Sequence, residues 1–279
     1  MEPTAFGGGS RANPLGGWRH KGIMAKCWAN SLGGCSNKWS HEHLVSQSLF
    51  DTDKILVQGF DWCKDEAREI SLITFNAKIL CTTHNSALSP IDSEAGRCFH
   101  HISSMIETDK QRELMKPHAW KVIHRHVHGP LLERWFLKTL INLNHKSNLP
   151  IGGFDSRPGT PINALTRQAF GLDSFPGKSG LYMIAHVGLN IRPISKVAFT
   201  PLIKDNRFIA GGLFGFYGFM FMIFLLPEGP PNPMSGLSFL GTDLGICQAN
   251  YHNNRVNKSV NNYLSQVLIF DWSKMASTT

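Results

Sequence analysis

At 279 residues the chain is long enough for one large domain or two ordinary ones, and with 42% hydrophobic and 17% charged residues it is globular, which excludes a disordered chain. A net charge of +8 and a pI near 9.3 favour a polyanionic partner, either nucleic acid or an anionic membrane surface. The six cysteines are not accompanied by a secretory-type apolar segment, so a reducing, cytoplasmic setting is expected, with metal rather than disulfides as their employment.

In chain order, residues 1–22 are rich in Gly and Pro without periodicity and predict a flexible basic arm, with Arg11, Arg19, His20 and Lys21 available to phosphate. Cys27 and Cys35 follow, separated by the Gly33-Gly34 dipeptide, whose turn folds Cys35 back toward Cys27. Then comes His41-Glu42-His43. Lys54 to Gly59 and Glu69 to Phe75 read as short strands with Cys63 between them, an alternative ligand or an ordinary half-buried thiol. The stretch Asn76 to Phe99 organises the rest: a short apolar run ends in Cys81-x-x-His84, and Asn85 follows at once. Cys and His at that spacing are half of a tetrahedral zinc site, and Cys27 with Cys35 supplies the other half.

Ser89-Pro90-Ile91-Asp92 predicts a helix start, with Ser89 at the N-cap and Pro90 in the first turn. Ile91, Ala95, Phe99, Ile102 and Ile106 repeat at helical spacing to about Thr108. Asp92 and Glu94 either serve the helix start or reach toward a metal held by Asn85. Trp120 to His128 alternates as a strand carrying three histidines on a polar face, and Pro130 to Asn144 is an amphipathic helix. Its Leu132, Trp135, Phe136, Leu140 and Leu143 form the apolar stripe, and Glu133, Arg134, Lys138 and Asn142 lie mostly off it. Residues 148–180 are rich in Gly and Pro and show no clear period, and Leu149 to about Pro161 reads as a boundary or long connection. From Gly180 onward the signals are β-like. Phe208 to Leu226 is uncharged and long enough to span a bilayer, but its phenylalanines recur at period two with Gly interruptions, which predicts two buried strands. After a Pro-rich break from Pro227 to Pro233, a last apolar strand runs from Gln266 to Trp272.

The ordered set Cys27, Cys35, Glu42-His43, Asn76, Cys81, His84 and Asn85 resembles the HNH endonucleases of the ββα-metal, zinc-knuckle type, over roughly residues 27–99. Glu42-His43 matches the carboxylate-His step, Asn76 the middle Asn, and Asn85 the last position. The first pair is spaced Cys-x7-Cys and the second is Cys-x-x-His, departures that thiolate and imidazole chemistry accommodate. The resemblance implies a structural Zn2+ on Cys27, Cys35, Cys81 and His84. It further implies a catalytic Mg2+ or Mn2+ held by Glu42 and Asn85 with Asp92, His43 as general base, and Asn76 orienting the His43 ring; His41 is the rival base, although it does not match the family position.

The expected architecture is therefore α+β: a flexible arm (1–22), an HNH-like module (23–108), a helical bridge (109–148) and a β-rich C-terminal domain (149–279). The expected function is a metal-dependent endonuclease hydrolysing phosphodiester bonds of DNA, or RNA. The alternatives are an inactive zinc-knuckle nucleic-acid-binding module and a membrane-attached protein using residues 208–226.

Overall fold

The structure is a computed structural model that describes residues 27–50, 52–60, 63–116, 119–186, 196–216, 218–230, 244–248, 255–260 and 263–272. The expected basic arm and residues 231–233 of the Pro-rich break lie outside these residues. The chain is mixed α+β with a β-rich C-terminal half, as the hydrophobic periods predict.

The N-terminal part alternates short strands with tight turns: β1 (Glu42–His43), β2 (Lys54–Gln58), β3 (Arg68–Ser71) and β4 (Asn76–Ala77), then α1 (Thr82–Ala87) and α2 (Ser89–Glu113). The break between the helices is a single residue, Leu88, which is fully buried. Pro90 supplies the discontinuity, because it lacks the N–H that would bond back into α1. Leu88, not Ser89, therefore occupies the N-cap position of α2, and no side chain caps it. The predicted apolar face of α2 is buried throughout, at Ile91, Ala95, Phe99, Ile102 and Ile106.

β5 (Ile123–His128) runs directly into α3 (Gly129–Leu143). The His128 side chain caps α3 by accepting from the Leu131 N–H at 3.4 Å, while His124 and His126 face outward, exposed. The junction needs Gly129: a Cβ there would lie 2.4 Å from the Trp272 ring. A helix unseen in the sequence follows, α4 (Asn163–Ala169).

The remaining strands are β6 (Gly180–His186), β7 (Lys196–Lys204), β8 (Phe208–Phe216), β9 (Phe219–Phe224), β10 (Leu244–Gln248), β11 (Arg255–Val260) and β12 (Tyr263–Asp271). They build a seven-stranded sheet in the order β10-β6-β9-β8-β7-β2-β3 and a three-stranded sheet β11-β12-β5, while β1 and β4 pair by themselves. The two joins of greatest sequence separation are parallel: β2 on β7, and β12 on β5. The apolar stretch 208–226 is thus the buried β8–β9 hairpin, with Phe214 opposite Phe221. No helix among the described residues is long and apolar enough to cross a membrane.

The main core is one continuous cluster running from Cys27 to Phe270. Phe99 of α2 and Phe136 of α3 meet Phe216 and Phe221 of the large sheet at ring-centroid distances of 4.9 to 6.3 Å. The cluster includes residues on both sides of positions 108 and 148, among them Phe99 and Ile102 of α2 and Trp135 and Phe136 of α3.

Candidate functional site

Local chain geometry builds the metal centre. After Cys27 a short 3-10 turn (Asn30–Leu32) leads to Gly33 and Gly34, both at positive φ (76° and 66°). This left-handed pair, open to glycine, reverses the chain and returns Cys35 to Cys27. The two knuckles are then stitched together by backbone bonds: Trp28 N–H to Ile79 O (3.1 Å), Ser40 N–H to Leu80 O (3.0 Å) and Thr82 N–H to Lys38 O (2.9 Å). Cys81 is the N-cap of α1, its sulfur accepting from the His84 N–H at 3.5 Å. The Cys-x-x-His spacing thereby puts cap and imidazole on the same helix end.

The four expected ligands converge: one ligand atom from each of Cys27, Cys35, Cys81 and His84 lies within 4.8 Å of every other. The His84 Nδ1 sits 3.4, 3.5 and 3.2 Å from the sulfurs of Cys27, Cys35 and Cys81. A tetrahedral Zn2+ with ordinary Zn–S and Zn–N bond lengths gives an S···N edge of about 3.5 Å, so the donor set fits that ion in both chemistry and size. Burial pushes the Cys27 thiol up to about 12. At Cys81 burial also acts upward, but hydrogen bonds from the His84 backbone, from Ser36 and from Cys27 outweigh it and bring the thiol down to about 6. Cys63, the alternative ligand, is buried away from this cluster, bridged to Phe60.

An apolar wall backs the quartet. Phe170, just after α4, packs edge-on against the His84 ring at 5.4 Å and against Trp28 at 5.8 Å. Nothing in the sequence points to Phe170, because the stretch that holds α4 shows no clear period.

The adjoining strand pair holds the rest of the expected site. β1 and β4 are antiparallel, with His43 directly opposite Asn76 and Glu42 opposite Ala77. Side chains alternate across a strand. Glu42 accordingly turns inward and is buried, while His41 and His43 take the outer side with Asn76. Asn85, on α1, donates from Nδ2 to Ser40 Oγ at 2.7 Å, one residue before His41.

Two expected roles are met by different partners. Asn76 does not hold the His43 ring: its Oδ1 lies 3.2 Å from His41 Nδ1 and its Nδ2 donates to the Ile73 carbonyl. His43 Nδ1 is buried and has no hydrogen-bond partner among the described residues. Glu42 and Asp92, expected to share a divalent cation with Asn85, share the Lys138 ammonium instead, at 2.6 Å from Glu42 and 2.7 Å from Asp92.

That ammonium belongs to a polar stripe on α3. Trp135, Lys138 and Asn142 follow one another at i, i+3 and i+7 and so share a helix face. Trp135 Nε1 donates to Ser46 Oγ at 2.8 Å, Ser46 Oγ donates to Asp92 at 2.5 Å, and Asn142 Nδ2 donates to Glu42 at 3.1 Å. Asn142 Oδ1 in turn accepts from Trp28 Nε1 at 3.3 Å. Glu133, Lys138 and Asn142 are buried although they lie off the apolar stripe. The available signal was their spacing within a helix whose other faces are apolar.

No protein-family model matches this chain, and neither a curated protein nor a solved structure matches it.

Proposed function

We propose that residues 27–99 form a zinc-clamped ββα module that hydrolyses phosphodiester bonds of nucleic acid, DNA foremost, in the manner of the HNH endonucleases they resemble. The observation that carries this reading is the register of β1 on β4. It sets His43 opposite Asn76 with His41 alongside, on a pair of strands clamped to α1 by the Cys3His quartet. The quartet takes no part in the chemistry. Its bound Zn2+ would cross-link two knuckles whose strands are only two residues long and cannot hold register unaided. A histidine of this strand edge would take the proton from the attacking water, which a neutral imidazole does near pH 7. The net charge of +8 would draw a polyanion to the protein.

The donor set expected for Mg2+ or Mn2+ does not fit such an ion, because Lys138 already neutralises Glu42 and Asp92. The same ammonium favours a second reading, a nucleic-acid-binding module without hydrolysis.

A plasmid-nicking assay separates the two, run on the full chain with Mg2+, with Mn2+ and with EDTA. Nicking that is lost in the His41→Ala/His43→Ala double variant supports the hydrolase. Retarded but uncut plasmid under all three conditions supports the binding module.

A further inference from the structure

We infer that His41, paired with Asn76, is the general base of the proposed hydrolysis, in place of His43. This rests on the reading of the module as a hydrolase and goes beyond the family resemblance, which points to His43.

The argument is one of hydrogen-bond polarity. The Asn76 amide nitrogen faces the Ile73 carbonyl, which can only accept. The amide orientation is thereby fixed, and the atom facing His41 must be the oxygen, also an acceptor. His41 Nδ1, 3.2 Å from that oxygen, must then carry the proton. In a neutral imidazole this leaves Nε2 as a bare lone pair. His41 is exposed, so this nitrogen is open to water and substrate. An acceptor on one ring nitrogen and a free lone pair on the other is the arrangement a histidine base requires.

His43 lacks the acceptor half of it. Its Nδ1 is buried without a partner among the described residues, so no acceptor selects a tautomer. The strand geometry accounts for the exchange. His43 is directly opposite Asn76, and His41, two positions earlier, is its diagonal neighbour on the same face. The short Asn side chain reaches the diagonal imidazole while its amide nitrogen turns back to Ile73.

In the reaction, His41 Nε2 takes a proton from water. The oxygen lone pair so freed forms the new P–O bond. The bond from phosphorus to one bridging oxygen breaks, and its electron pair leaves with that oxygen, which is protonated from solvent. Asn76 is the positioning residue: it holds the ring and accepts from the Nδ1–H as positive charge develops on the imidazole.

The test uses the full chain in the nicking assay with His41→Ala, His41→Gln, His43→Ala and Asn76→Ala, with zinc content checked for each. His41→Ala and His41→Gln are expected to lose about 10²–10⁴-fold in rate, with added imidazole restoring part of it to His41→Ala. Asn76→Ala and His43→Ala are each expected to lose less than His41→Ala. Nitrogen-15 NMR of the wild-type histidines should show His41 protonated at Nδ1, a preference that disappears in Asn76→Ala. If His43→Ala is inactive and His41→Ala cleaves normally, this inference is overturned while the hydrolase reading stands. If wild type does not cleave at all, the hydrolase reading fails and the base assignment falls with it.

Discussion

Replacing Lys138 by Met removes one charge from the centre of the molecule and leaves two opposite charges behind. The ammonium is 2% exposed and lies 2.6 Å from Glu42, itself 4% exposed. Its second partner, Asp92, is about a quarter exposed and keeps the Ser46 hydroxyl as a donor. Glu42 keeps only the Asn142 amide. Breaking a buried ion pair from one side costs about 3–5 kcal/mol, because the surviving charge has lost its compensation. That is a large share of a typical domain stability of about 5–15 kcal/mol. The cost should depend on pH in a definite direction. Burial raises the Glu42 carboxyl above its ordinary value, and Lys138 opposes that rise. Without the lysine the folded-state value climbs further. A group raised on folding favours the fold below its unfolded pKa of about 4.3 and weakens it as pH rises toward the folded value. The deficit of Lys138→Met against wild type should therefore be small near pH 4.5 and fully developed by pH 7 to 8. Urea unfolding at these pH values measures it. The double variant Glu42→Gln/Lys138→Met removes both charges and should recover most of the loss. A single variant within about 1 kcal/mol of wild type at pH 7, or a double variant no better than the single, would refute the claim that these charges compensate each other.

Elemental analysis should find about one zinc per chain. Cys81→Ser should remove it and unfold the knuckles with it, whereas a folded metal-free protein would contradict the clamp. Phe170→Ala strips the apolar wall from His84 and Trp28 and should weaken zinc retention about 10–100-fold against a colorimetric chelator, with the quartet itself intact. Glu133 is buried on α3, accepts from the Leu181 N–H at 2.8 Å, and is pushed up to about 7 by desolvation. Its carboxylate therefore costs stability as pH rises from the unfolded value toward 7. Glu133→Gln, which retains the acceptor, should be neutral near pH 4 and more stable than wild type by up to about 3 kcal/mol above pH 7; a pH-independent difference in thermal or urea midpoints would count against it.

The parts of the site that could be read from the sequence are those whose partners are set by local geometry. Cys27 and Cys35 are joined by a Gly-Gly reversal, and Cys81 and His84 by one turn of helix at an N-cap. Each pair is specified within nine residues, and a shared metal is the chemistry that unites them. The β8–β9 hairpin was equally legible, because a phenylalanine period of two is compatible with strands and not with a helix. What could not be read were the choices of distant partners. Glu42 looks from its neighbours like a metal ligand; only Lys138 and Asn142, the latter 100 positions away, make it a buried structural anion. The reach of Asn76 is likewise a property of cross-strand register, and two-residue strands announce no register. α4 escaped for a third reason: seven residues without a side-chain cap carry too short an apolar pattern to separate from loop.

The zinc quartet, the strand pair and α1 all lie before residue 88, which invites excision of residues 23–108 as an independent nuclease module. The packing argues that this segment does not fold alone. Glu42 would lose Lys138 and Asn142. Trp28 would lose Asn142 and Phe170. β2 would lose β7, the strand that ties it into the large sheet. Phe99, fully buried among Trp135, Phe216 and Phe221, would face water together with Ile102 and Ile55. Each fully buried apolar side chain of this size is worth about 1.5–3 kcal/mol, so three of them exposed remove an amount comparable to the whole stability of a small domain. Zinc binding does not replace a core: it closes the two knuckles, whereas α2 gets its order from α3 and the sheet. The expected result is that residues 23–108 bind zinc yet leave α2 without slow amide exchange from Ile91 to Ile106, while the full chain protects these amides. A stable, protected α2 in the isolated segment would refute this and would mean that the zinc clamp suffices to organise the strands and helix by itself.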